Sequence, residues 1–234
     1  MIIQPAETQT PAGTSQLSAL PYVAPFVVFI AFLAVDRFFP INIGAIYALR
    51  FAVVFAVLIT VSRWVIPRNV VYPLSSMLVG ILVCAIWVAP DVLWPSYRQS
   101  WLFNNSLTGN PQSSLPAGVV TSIWFLLFRV LGSVVNVPLL EELFWRGWLM
   151  RWFIGKDFRK IPLGTYSPQS FWLVAMLFAS EHGAYWDVGL LTGVVYNWWL
   201  VRTKSLGDCI LCHAVTNACL AGWVLVRGQW QYWL

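Results

Sequence analysis

No Asp, Glu, Lys or Arg interrupts the chain from Asn69 to Pro90, or again from Cys209 to Val226. Each run is close to the roughly 20 residues that a helix needs to cross a hydrocarbon core. Further apolar runs approach that length, and only 10% of the 234 residues are charged. Soluble domains carry about 25% charged residues, enough to cover a surface in water, and this chain does not. Lipid is the natural solvent, and the 15 Trp suit the interface between lipid and water. The expected fold class is all-α, a polytopic membrane protein of about eight transmembrane helices with a lipid bilayer as partner.

The apolar pattern places the helices at about 22–39, 44–66, 73–94, 117–135, 138–154, 169–182, 186–202 and 206–226. The stretch 117–154 is too long for one crossing at a 1.5 Å rise per residue. Gly132 and Pro138 offer a break there, and Pro138 suits the first turn of a new helix. Residues 1–20 are rich in Pro, Thr and Ser and lack the basic start of a secretory signal, so a disordered tail is expected. The predicted organisation is a tail over 1–20, N-terminal transmembrane helices over 21–116 and a catalytic domain over 117–228.

The net charge of +5 comes from basic residues in short loops between apolar runs. That is the pattern of topology control rather than a nucleic-acid surface, and no nucleic-acid partner is expected. With eight crossings, one side collects Arg37, Arg98, Arg151, Lys156, Arg159, Lys160, Arg202 and Lys204. The other collects Arg63, Arg68 and Arg227. The positive-inside rule puts the first set in the cytoplasm and the end of the 169–182 helix toward the outer face. Arg50 and Arg129 fall inside helices, where they pair, snorkel or line a cavity.

Ionisable groups inside lipid are costly and mark function by default. Glu141 and Glu142 stand near the start of the fifth expected helix. Glu142 and Arg146 are four residues apart, share a helix face and can pair. Glu141 points about 100° away and is left available for chemistry. The chain has 2 His, and both adjoin apolar helices. His182 ends the sixth helix, level with the start of the antiparallel fifth. His213 and Asn217 share a face of the eighth. A carboxylate can take a proton from water while a neighbouring His shares it. An Asn amide and a second His can donate to a developing oxyanion. Ser180 has no acidic orienter nearby and is a poor nucleophile candidate.

These residues form three motifs: Glu141-Glu142-Leu-Phe-Trp-Arg146, Phe178-Ala-Ser-Glu-His182 and His213-Ala-Val-Thr-Asn217. In order and spacing they resemble the EExxxR, FxxxH and HxxxN pattern of the CPBP (Abi) family, which includes the type II CAAX prenyl endopeptidases. The resemblance covers about residues 117–226. It implies a helical membrane fold with a conical polar cavity and an intramembrane endopeptidase acting on a membrane-associated protein or peptide. It gives Glu141 and His182 the activation of water, His213 and Asn217 the oxyanion site, and Glu142 and Arg146 support. Tyr47-Ala-Leu-Arg50 and the Trp87 region resemble CAAX-protease-related proteins that accompany bacterial exosortase and PEP-CTERM sorting systems. That implies an integral protein of the bacterial inner (plasma) membrane.

Glu141, His182 and His213 could form a zinc site with an open position. HExxH is absent and Asn217 is a poor zinc ligand, so metal-independent hydrolysis without a cofactor is favoured. Cys209-Ile-Leu-Cys212-His213 matches the c-type haem pattern, but it lies inside an apolar helix rather than in an accessible segment. The 4 Cys all fall in apolar segments, which argues against a disulfide framework. A membrane scaffold or a proton-coupled transporter is the non-proteolytic alternative.

Overall fold

The computed structural model describes residues 13–35, 43–113 and 115–233. Most of the expected N-terminal tail, and Arg37, lie outside them, and the backbone is already helical from Gly13. The structure is all-α. Among the described residues seven long helices carry the chain: α1 (Gly13–Val35), α2 (Ile43–Ser62), α3 (Pro73–Leu93), α4 (Ile123–Trp152), α5 (Pro168–Ser180), α6 (Trp186–Thr203) and α7 (Leu206–Arg227). Of these, α2, α3, α4 and α7 are long and apolar enough to cross a membrane by themselves.

The expected break at Gly132 and Pro138 is absent, and α4 runs unbroken for 30 residues. The reason lies in its turns. Residues Gly132–Asn136 form a π-turn, in which Val137 N–H donates to Gly132 O, five residues back. A proline inside an α-helix clashes with the carbonyl one turn earlier. Widening the preceding turn moves that carbonyl aside, so the helix continues through Pro138. A second π-turn, Leu143–Leu149, follows directly on the two glutamates. Such wide turns inside α-helices occur frequently at functional sites.

One helix where two were expected changes which ends share a side. The contacts of α3 with α7 show it. Asp208, in the first turn of α7, accepts from Val71 N (3.0 Å), Tyr72 N (2.7 Å) and Ser76 Oγ (2.9 Å) at the start of α3. One turn on, Gly80 lies so close to α7 that a Cβ there would stand 2.5 Å from Cys212 O. Still further along, Thr216 Oγ donates to Gly80 O at 3.0 Å. The two helices are therefore parallel, whereas eight crossings would make them antiparallel. Small residues let the backbones approach, as is usual between helices in lipid.

With the sides reassigned, Arg63, Arg68, Lys156, Arg159, Lys160, Arg202 and Lys204 gather at one end of the bundle. Arg98 and Arg227 lie at the other. Arg63 and Arg68 thus join the lysine-rich loop, and Arg98 leaves it. Arg98 is not a free loop charge either: it pairs with Asp91 (3.0 Å) and Asp187 (2.9 Å). The His182 end remains opposite the basic end.

Candidate active site

The two halves of the chain meet around α4. At its N-terminal end Phe125 packs edge-on against Tyr47, with ring centroids 4.9 Å apart. Further along, Phe144 stacks on Phe26 of α1 at 3.9 Å. These contacts fix the rotation of α4 and turn Glu142 and Arg146 fully into the protein. Glu142 Oε1 accepts from Arg146 Nη1 at 3.2 Å, the pairing expected from their spacing. The same oxygen accepts from His213 Nδ1–H at 2.8 Å. A carboxylate oxygen can only accept here, so Nδ1 carries a proton, and Nε2 is left facing Glu141. That Nε2 stands 4.0 Å from Glu141 Oε2. Glu141 itself borders the cavity, and its Oε2 accepts no hydrogen bond from the described protein atoms.

Arg146 is held on its other side by a residue whose role the sequence did not reveal. Asn197 Oδ1 accepts from Arg146 Nε at 3.0 Å, while Asn197 Nδ2 donates to Phe171 O at 2.8 Å. The guanidinium also lies over the Phe178 ring, 4.5 Å from its centroid. The sequence signal is only an amide on α6 between Tyr196 and Trp198; its buried contacts make it a clamp.

His182 follows α5. Its Nδ1–H donates to Phe178 O at 2.7 Å, because a carbonyl cannot donate, and this leaves Nε2 as an acceptor. The ring packs against Trp87 of α3 and Phe178, at 5.3 Å and 4.7 Å. The 183–185 turn beyond it is tied down by Arg98, which donates to Ala184 O at 2.6 Å and lies 4.0 Å over the Tyr185 ring. Burial, and then the charge of Asp187, raise the Tyr97 hydroxyl above its ordinary pKa. It stays protonated and donates to Asp187 Oδ2 at 3.1 Å. Asn217 Nδ2 donates to Ser133 O at 2.8 Å and keeps a second amide hydrogen.

Glu141, His182, His213 and Asn217 line one cavity of about 200 Å³, with Trp87, Arg129, Ser133 and Trp233 among its other walls. Glu142 and Arg146 stand behind it. A wider cavity of about 480 Å³ shares Trp87, Arg129, His182 and Tyr232, and reaches Thr108, Gly109 and Asn110 in the loop after α3. The six residues singled out in the sequence therefore converge, four bordering the space and two supporting it. Among the described residues no three His, Cys, Asp or Glu side chains gather as a metal-binding group. Cys209 and Cys212 are fully buried in α7, which does not suit a haem attachment site.

Residues 122–219 match the family model of the type II CAAX prenyl endopeptidases, Rce1-like. This stretch is CAAX protease-like. All three motifs lie inside it. The CAAX protease-like family is one of membrane endopeptidases, whose substrates are proteins or peptides at the membrane. Neither a curated protein nor a solved structure matches the chain.

Proposed function

We propose that the chain is an intramembrane endopeptidase in which Glu141 activates water for attack on a peptide bond. The observation that carries the reading is the line Arg146–Glu142–His213–Glu141, whose contacts measure 3.2, 2.8 and 4.0 Å in turn. It fixes the His213 ring and aims Nε2 at the free edge of the Glu141 carboxylate. One water molecule can touch both Glu141 Oε2 and that nitrogen at ordinary hydrogen-bond distances. Glu141 takes a proton from the water, and the hydroxide oxygen bonds to the carbonyl carbon. His182 Nε2, an acceptor bordering the same space, takes the hydrogen bond from the water's second hydrogen. The spare amide hydrogen of Asn217 meets the developing oxyanion. The proton on Glu141 passes to the amide nitrogen as the C–N bond breaks, giving a carboxylic acid and an amine, which settle as carboxylate and ammonium. His213 thus works beside the acids rather than only at the oxyanion.

The reading needs no metal. Cleavage of a model substrate by the purified protein, followed by mass spectrometry of both products, is expected to survive prolonged treatment with a strong chelator. Loss of activity that zinc restores would overturn the metal-free mechanism.

The site opens, in this reading, on the face away from the cytoplasm. The basic residues at the far end support that orientation through the positive-inside rule, and an exported or membrane-bound protein is the substrate that fits it. A membrane-impermeant thiol reagent applied to intact cells is expected to label Asn110→Cys at the rim. Lys160→Cys, whose parent side chain is 83% exposed at the basic end, is expected to react only after permeabilisation. The opposite labelling pattern rejects the orientation.

A further inference from the structure

Several walls of the catalytic cavity come from outside the stretch that carries the three motifs. Trp87 stands on α3, while Leu220, Tyr232 and Trp233 follow residue 219. Tyr232 and Trp233 belong to a short tail beyond α7. Gly228 ends that helix in a left-handed conformation (φ 65°), which glycine adopts without strain. Trp223 Nε1 donates to Gln229 Oε1 at 2.6 Å and ties the start of the tail to the helix it has just left. Residues Trp230–Trp233 then form a 3₁₀ turn. Aromatic rings hold this turn in place. Tyr232 lies against Tyr185, in the turn after His182, with centroids 5.4 Å apart. Trp233 meets Phe125 of α4 edge-on at 6.3 Å and lies over the Arg129 guanidinium at 5.3 Å. Both side chains are buried. The tail thus bridges α4 and the His182 turn, and its two rings border the same space as Glu141. Close-packed groups of this kind resist displacement, so the rings act as a fixed wall.

The space they leave is small. At about 200 Å³ the cavity is below the roughly 300–1,000 Å³ of sites that enclose drug-sized ligands. It must hold the attacking water and the scissile peptide unit before any side chain is counted. The wider cavity of about 480 Å³, which Tyr232 also borders, has room for bulkier residues further from the cut. We propose that Tyr232 and Trp233 limit the size of the side chains that can stand beside the scissile bond. The substrate class is then a chain with small residues, such as glycine, alanine or serine, at the cut. The proposal rests on the endopeptidase reading and narrows it. One methylene too many in a tight pocket already changes recognition by about tenfold or more, and an aromatic side chain adds far more than one.

Binding is measured apart from cleavage. A fluorescent, alanine-rich host peptide is made with a single Phe moved along it one position at a time. Each peptide is titrated into detergent-solubilised Glu141→Gln protein, which does not cut it. Phe is expected to weaken binding at least about tenfold at one position or at two adjacent ones, and to be tolerated elsewhere. Adding Trp233→Ala is expected to remove most of that penalty while leaving the affinity for the host peptide little changed. Trp233→Leu, a smaller reduction of the wall, is expected to remove part of it and serves where the alanine variant does not fold. No binding by any peptide, tolerance of Phe at every position, or a penalty that survives both variants overturns the proposal. A loss of host affinity in the same variants would make Trp233 a general support and overturns it too. The peptides are then given to protein that retains Glu141. The bond cut in the host is expected to adjoin the position that excludes Phe, and a cut elsewhere rejects the assignment. Size-dependent binding without any cut product would instead refute the endopeptidase reading while leaving the size limit of the cavity standing.

Discussion

Glu141→Gln is expected to lower the cleavage rate about a thousandfold, within the range associated with loss of a general base. The amide has nearly the shape of the carboxylate, so the cavity walls and the 4.0 Å approach to His213 should be preserved. What is lost is the capacity to take a proton from water. The variant should accumulate in the membrane with an unchanged melting temperature, and substrate binding should persist. The measurement is turnover of a model peptide alongside thermal unfolding in detergent. Near-normal turnover by a well-folded variant would remove Glu141 from the chemistry. Loss of the folded protein would instead make the residue part of the scaffold.

Arg146→Met is expected to act mainly on stability. The guanidinium is fully buried and serves Glu142 and Asn197 together. Removing it strands a carboxylate in the protein interior, and breaking a buried pair in this way costs about 3–5 kcal/mol. The predicted result is a large fall in melting temperature and in yield. Neutralising the partner as well, as Glu142→Gln with Arg146→Met, is expected to recover much of the lost stability, because no charge is left unmatched. Activity should stay low in the double variant, since a glutamine holds the His213 ring less firmly than a carboxylate does. A double variant as unstable as the single one would mean that Arg146 acts through packing on Phe178 and not through its charge.

Much of the site was legible in the chain. Glu142 and Arg146 are local partners, so their spacing fixes their meeting once a helix is granted. The convergence of His182, His213 and Asn217 with the acids was also readable, because polar groups in lipid must find one another. The detailed pairing was not. Whether His213 bonds to Glu142 or faces an oxyanion depends on the rotation of α7 against α4, which aromatic packing decides far along the chain. Asn197 was passed over for the same reason. The helix count was misread at Pro138, where the rule against proline inside a helix met a wide turn that local sequence does not announce. That single merger reversed α3 relative to α7 and moved Arg63, Arg68 and Arg98 to other sides. The position of the His182 end relative to the lysine-rich loop survived, because it depends only on α5.

The close, parallel seating of α3 on α7 sets a limit on modularity. The matched stretch begins at residue 122, yet Trp87, which flanks the His182 ring, comes from before it. Cut loose at that boundary, the catalytic portion would expose the groove around Cys212 to lipid and lose one side of its own chamber. Grafting or truncation experiments on this protein should therefore carry residues 73–93 along as an integral stave of the barrel that surrounds the chemistry.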